Sequence, residues 1–154
     1  RISPDYYCMD GTIPRRALPK VLSEIAAASE EFALRVVNVF HAGDGNLHPL
    51  ILFDANRPGE TDRAESLGGR ILELCVAAGG TITGEHGVGV EKINQMCVQF
   101  PPEELEQFHA VKRAFDEGEL LNPGKAVPTL ARCAEFGAMH VHNGNLPFPH
   151  LERF

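Results

Sequence analysis

The chain has 154 residues, 44% hydrophobic and 23% charged, with a formal net charge of -7. A chain of this length buries ~70% of its unfolded surface on folding, so it reads as one soluble globular domain that needs no staples. The acidic balance excludes a nucleic-acid binder, which needs a basic face, and no apolar run reaches the ~18 residues that would suggest a spanning helix.

The first residue is Arg1, not Met, so we expect a piece of a longer protein whose targeting signals, if any, lie upstream. The four cysteines, Cys8, Cys75, Cys97 and Cys133, are scattered with no C-x-x-C pair. Cys75 and Cys97 fall within apolar helical patterns, where a thiol packs as a small hydrophobe. Disulfides are not needed at this size, which predicts a reducing, cytoplasmic setting.

In chain order, "DYYCMDGTI" (5–13) predicts a strand weakened by Gly11. "RALPKVLSEIAAASEEF" (16–32) has helical spacing through Leu18, Val21, Leu22, Ile25 and Ala28, and Pro19 is tolerable in a first turn. "LRVVNVF" (34–40) and "LHPLILF" (47–53) are short strands. A second amphipathic helix spans 60–78 on Ala64, Leu67, Ile71, Leu74 and Ala78, and Gly79-Gly80 stops it. "TIT" (81–83) is a brief strand, and two further helices follow near 88–98 and 102–116, the last opened by Pro101-Pro102-Glu103-Glu104.

The order through residue 84 is β-α-β-β-α-β, the ferredoxin-like arrangement of the α+β class. It predicts an antiparallel sheet of spatial order 4-1-3-2 with helices on one face, plus C-terminal helices and an extended tail. The other face lacks a cover that the closing helices could supply, and a missing domain is the natural candidate. Residues 1–128 are expected to form the domain. Residues 129–154, with four prolines or glycines around three histidines, are expected to form a surface-following arm.

"HAGDGNLH" (41–48) carries the first chemistry. Asp44-Gly45 between apolar strands is a strong hairpin signal. A two-residue loop there would pair His41 with His48 on one face, with Cβ atoms roughly 4.5–5.5 Å apart. Two imidazoles so placed can converge on one ion. In the 4-1-3-2 order, the end of strand 4 lies at the same edge, and just past it comes "GEHGVG" (84–89), with Glu85 and His86. Two histidines and a carboxylate leave open positions on an ion, the mark of a catalytic site, and suit zinc, iron or manganese. Such an ion polarises a bound oxygen, and an imidazole at His86 could take the proton this loosens. The residues alone leave open a stand-alone metal-dependent hydrolase, an oxidase of 2-hydroxy acids, or an interaction module whose metal is structural and whose His-rich tail docks partner subunits. No G-x-G-x-x-G follows a strand, so a nicotinamide or flavin would be held elsewhere.

"HAGDGNLHP", "GEHGVG" and "LLNPGK" (120–125), in that order, resemble the C-terminal domain of FAD-linked 2-hydroxy acid dehydrogenases of the vanillyl-alcohol oxidase type. The wider stretches "DYYCMDGTIPRRALP", "GGRILELC", "EKINQMC" and "RCAEFGAMHVH" are similar to glycolate-oxidising members. The resemblance implies that this chain is the cap, or substrate, domain and that an N-terminal FAD-binding domain is absent from it. It implies that His41, His48 and Glu85 hold a divalent metal and that His86 is the base. A small 2-hydroxy acid would sit with its hydroxyl on the metal while its α-hydride passes to FAD. Asn46 would touch the substrate carboxylate, unless it is only a turn residue. Asn122 and Lys125 would approach the flavin, with a helix C-terminal cap as the alternative for Asn122. The implied partners are sister subunits, an iron-sulfur subunit among them, and through them a place peripheral to the inner membrane. One departure stands out: relatives that take dicarboxylates carry lysine where this chain has Cys8, which points to glycolate or D-lactate over 2-hydroxyglutarate. Without its flavin domain, the chain alone should be inactive and should self-associate through the uncovered face or the tail.

Overall fold

In the computed structural model, residues 2–129 together with 132 and 133 are described. The expected arm, 129–154, lies almost wholly outside them. The chain divides into two compact units, Arg1–Gly87 and Val88–Phe154.

The first unit contains β1 (Asp5–Cys8), β2 (Gly11–Thr12), a short 3-10 turn at Arg15–Ala17, α1 (Leu18–Glu31), β3 (Arg35–His41), β4 (Asn46–Phe53) and α2 (Glu60–Ala77). β4 is central. It pairs antiparallel with β1 and β2 along one edge and with β3 along the other. Thr12 and Thr81 exchange both backbone hydrogen bonds, at 3.0 and 3.1 Å, as an antiparallel bridge. The spatial order is therefore the expected 4-1-3-2, with helices and sheet in an α+β unit. The fourth strand, expected at 81–83, is reduced to that one bridge, because the chain turns at once into the glycine-rich segment that follows.

The first strand, expected as one piece over 5–13, is interrupted at Met9-Asp10. Its two halves keep one register, with Cys8 opposite Leu50 and Gly11 opposite Leu47. The break has a cause in the partner strand. Met9 N–H donates to the Pro49 carbonyl at 3.1 Å, but Pro49 has no N–H to return the bond. Gly11, which weakened the strand as a sequence, is needed for packing: a Cβ there would meet the Cys75 sulfur of α2 at 2.6 Å.

Both helices lie on one face of the sheet, where Met9, Leu47 and Ile51 meet Val21, Ile25, Leu67, Ile71 and Cys75, all buried. Burial pushes the Cys75 thiol up to about 12, so it stays protonated and packs as a small apolar group. α2 ends as expected: Gly79 takes φ +84°, Gly80 N–H donates to Cys75 and Gly79 N–H to Val76, a Schellman closure. Alternation along β1, β4 and β3 puts Tyr6, Cys8, Asn46, His48, Val39 and His41 on the face opposite α1 and α2.

The second unit holds α3 (Ile93–Gln99) and α4 (Pro102–Phe115). α3 is shorter than the expected 88–98, since Gly87 and Gly89 take positive φ and hold the preceding residues out of helix. α4 opens on Pro102 with Glu103 and Glu104 in its first turn, as read. Cys97 corrects the expectation of free thiols, and with it removes the argument from cysteine usage for a reducing setting: it forms a disulfide with Cys133, 36 residues on. The helical pattern gave no sign of this, because a half-buried helix position suits a thiol and a disulfide alike. No helix among the described residues is long and apolar enough to cross a membrane.

Candidate functional site

The β3–β4 hairpin differs from expectation by two residues. His41 lies opposite Asn46, and His48 opposite Val39, so four residues (42–45) form the loop. The His41 carbonyl accepts from both Asp44 and Gly45 N–H at 3.0 Å, and Gly45, at φ +77°, directs its own carbonyl to Ile13 N–H at 2.9 Å. That tie to the segment after β2 favours the wider loop over the tight Asp-Gly turn. A shift of two preserves which face each side chain takes. His41 and His48 therefore still converge, now as diagonal neighbours, with ring centroids 5.3 Å apart and edge to face.

Glu85 reaches this pair from the loop beyond the Thr12–Thr81 bridge. Its Oε1 lies 2.6 Å from His48 Nε2 and 3.8 Å from His41 Nε2, and accepts from Asn46 Nδ2 at 2.9 Å. The His86 ring stacks on His48 with centroids 5.1 Å apart. Asn46, His41, His48, Glu85 and His86, picked out separately in the sequence, are thus brought together within one unit. Asn46 and His48 are the buried members. His41 and Glu85 have side chains 60% and 51% exposed, so the cluster opens outward on the face opposite α1 and α2.

The donor chemistry fits a divalent cation. Both imidazole Nε2 atoms lie within 4 Å of one carboxylate oxygen. His41, at 3.8 Å, stands outside the donor group that closes within 4.8 Å, in which His86 supplies the second imidazole. An N,N,O set of this kind leaves positions free on an ion. Donor atoms of His48, Glu85, His86 and Asp10 all lie within 4.8 Å of one another, as do those of Cys8, His48 and His86. Asn46 is 7% exposed, and its Oδ1 has no hydrogen-bond partner. One of its amide donors goes to Glu85, so it orients the carboxylate. Its amide packs on Gly84, where a Cβ would meet Oδ1, Cγ and Nδ2 at 2.7–2.9 Å; only glycine lets the loop come this close.

Two residues of this site were not assigned to it from the sequence. Asp10 is fully buried beside the 83–86 loop and accepts from its backbone. Thr83 donates its hydroxyl to Asp10 Oδ2 at 2.7 Å. The signal was present in "CMDG": an acidic residue between Met9 and Gly11, inside an otherwise apolar strand, calls for a buried partner set.

Asn122 and Lys125 belong to the second unit. The helix-cap alternative for Asn122 is excluded, because α4 ends at Phe115 and Asp116 occupies the cap position. Asn122 instead takes φ +48° in the following turn, and its Oδ1 accepts from Lys125 Nζ at 3.3 Å.

Residues 1–126 match the family of FAD linked oxidases, C-terminal domain, and the chain belongs to that family. It is 75% identical over all 154 residues to glycolate oxidase subunit GlcD of Escherichia coli (strain K12), covering 31% of that protein. It is 36% identical over 132 residues, 86% of the chain, to glycolate oxidase subunit GlcD of Bacillus subtilis (strain 168), covering 28% of it. To the mitochondrial D-lactate dehydrogenase [cytochrome] of Arabidopsis thaliana it is 31% identical over 119 residues, 77% of the chain and 21% of that relative. The chain thus spans less than a third of the length of these relatives.

Proposed function

We propose that this chain is the cap, or substrate, domain of an FAD-dependent 2-hydroxy acid dehydrogenase that oxidises glycolate to glyoxylate. The observation that carries the reading is the convergence of His41, His48 and Glu85 beside His86 on the sheet face opposite α1 and α2. Family membership and the 75% identity to a glycolate oxidase subunit support it.

His41, His48 and Glu85 would hold a divalent ion, and His48 is the anchor, being buried and 2.6 Å from Glu85. Bound there, the ion supplies polarisation of a substrate hydroxyl, and FAD, carried by an N-terminal domain, supplies the two-electron acceptor. His86 takes the hydroxyl proton at its ring nitrogen as the α-hydrogen leaves with its electron pair, which turns the 2-hydroxy acid into a 2-oxo acid. His48 holds the His86 ring by stacking. Asn46 is assigned to the substrate carboxylate; in the chain alone its Nδ2 donates to Glu85 at 2.9 Å and lies 3.4 Å from His48 Nε2. Asn122 and Lys125 are assigned to the flavin.

Cys8 stands at the cluster, its sulfur within 4.8 Å of the donor atoms of His48 and His86. A neutral side chain here gives a second carboxylate nothing to pair with, so glycolate and D-lactate are favoured over 2-hydroxyglutarate. The chain would work with sister subunits of a glycolate oxidase complex, including an iron-sulfur subunit, in the cytoplasm and peripheral to the inner membrane. Turnover of the full-length protein with glycolate, D-lactate and 2-hydroxyglutarate, each with an artificial electron acceptor, tests the assignment. Oxidation of the two monocarboxylates and poor use of the dicarboxylate are expected; a preference for 2-hydroxyglutarate would reverse it.

A further inference from the structure

We propose that Asp10 is the positioning residue of this site: its buried carboxylate sets the Gly84–His86 backbone, and so aims Glu85 and His86. The proposal rests on the reading of these two side chains given above. Asp10 has no exposed surface. Its Oδ2 accepts from Gly84 N–H at 3.1 Å, Glu85 N–H at 3.1 Å and His86 N–H at 2.8 Å, and from the Thr83 hydroxyl at 2.7 Å. Oδ1 takes a further, longer share of the Glu85 N–H at 3.2 Å, and the Asp10 carbonyl accepts from Gly84 N–H at 3.0 Å. Three successive amides turned toward one oxygen form an anion nest, here filled by the protein's own carboxylate.

Residues 84–86 belong to no helix or strand. Their N–H groups have no ladder to join, and the direction in which Glu85 and His86 leave the backbone is set by what those amides bond. Asp10 supplies that bond from the first strand. Its place between Cys8, opposite Leu50, and Gly11, opposite Leu47, puts it across from His48 on the central strand. One residue thus references the loop to the same strand that carries the buried histidine. Charge-assisted bonds are about twice as strong as neutral ones, which offsets burying the carboxylate. Asp10 is close enough to the cluster to be weighed as a ligand. Four hydrogen bonds commit Oδ2 to the loop, while Oδ1 takes the longer share of the Glu85 N–H, so a contact to an ion would fall to Oδ1 and leave the nest in place.

The test compares Asp10→Asn, Thr83→Val and Thr83→Ser in the full-length flavoprotein, with Ile25→Val in the α1 core as a variant destabilised elsewhere. Two quantities are read: amide hydrogen exchange over 83–87, and zinc affinity by competition with a chelator. In Asp10→Asn the loop amides should exchange at least tenfold faster, and zinc affinity should fall about 10–100-fold, the usual loss when the support of a ligand is removed. Thr83→Val should move both in the same direction by less, and Thr83→Ser should restore both. Ile25→Val should lower the melting temperature and move neither. Faster loop exchange with unchanged zinc affinity would overturn the proposal, since Asp10 would then serve stability alone; unchanged exchange would overturn it outright. If the wild-type enzyme takes up no zinc, the metal reading fails separately, and the exchange rates still decide whether Asp10 orders the loop. Should Asp10→Asn not fold, the two Thr83 variants decide the matter by the same readouts.

Discussion

At His48 two requirements meet: a buried imidazole needs a partner, and an ion needs an anchor that does not move. Its Nε2 lies 2.6 Å from Glu85, and its ring lies between those of His41 and His86. His48→Ala removes both functions, so metal analysis of the full-length protein should fall from near one ion per chain to background; full occupancy would remove His48 from the ligand set. Gly84 makes a second demand. A methyl group there meets the Asn46 amide at 2.7–2.9 Å, and Asn46 can yield only by letting go of Glu85. Gly84→Ala should therefore cost about 1–3 kcal/mol of stability through overpacking, and should weaken zinc binding as well, as thermal melts and chelator competition would show. The histidines and Glu85 were legible in the sequence because face parity survives a two-residue error in register. Asp10 was legible only as a carboxylate in want of a buried partner, because its three amide partners lie more than 70 residues away.

The elements hold this site at different depths. β4 is paired on both edges, and Ile51 at its middle has no exposed surface. Ile51→Ala should cost about 2–5 kcal/mol by denaturant unfolding. Helices were readable as sequence because ten or more residues of 3.6 periodicity outweigh local noise, and α2 and α4 begin and end within a residue of the expected positions. Short elements were not. The 81–83 segment makes a single bridge because tertiary contacts, not propensity, decide three residues, and the hairpin loop was set by Gly45 bonding to Ile13, a contact no local rule contains. At the end of α4, the hydrogen bond from Lys112 and those from Leu121 and Leu120 N–H hold the Asp116 carboxyl below its ordinary value. A depressed value means that Asp116 stabilises the fold fully above the unfolded carboxylate range, near pH 3.9, and progressively less as pH falls through the folded value. Asp116→Asn should accordingly lower the melting temperature at neutral pH and make little difference in strong acid. An equal deficit at both would contradict the pairing.

At the largest scale, the decisive feature is the sheet of the first unit, with α1 and α2 on one side and the cluster of His41, His48, Glu85 and His86 on the other. Tyr6 and Val39, 66% and 51% exposed, lie on the open face with His41. Taken alone, this chain should be colourless and should self-associate at high concentration, which light scattering would detect; a flavin absorbance on the isolated chain would overturn the division of labour between cap and flavin domains. The central claim is that this face delivers a 2-hydroxy acid to FAD with His86 as base. The direct measurement is anaerobic flavin reduction in the full-length protein on mixing with glycolate. Wild type should bleach, and His86→Asn, with equal flavin and metal content, should bleach about 10²–10⁴-fold more slowly. Bleaching of the variant within tenfold of wild type, or none at all in wild type, would contradict the account.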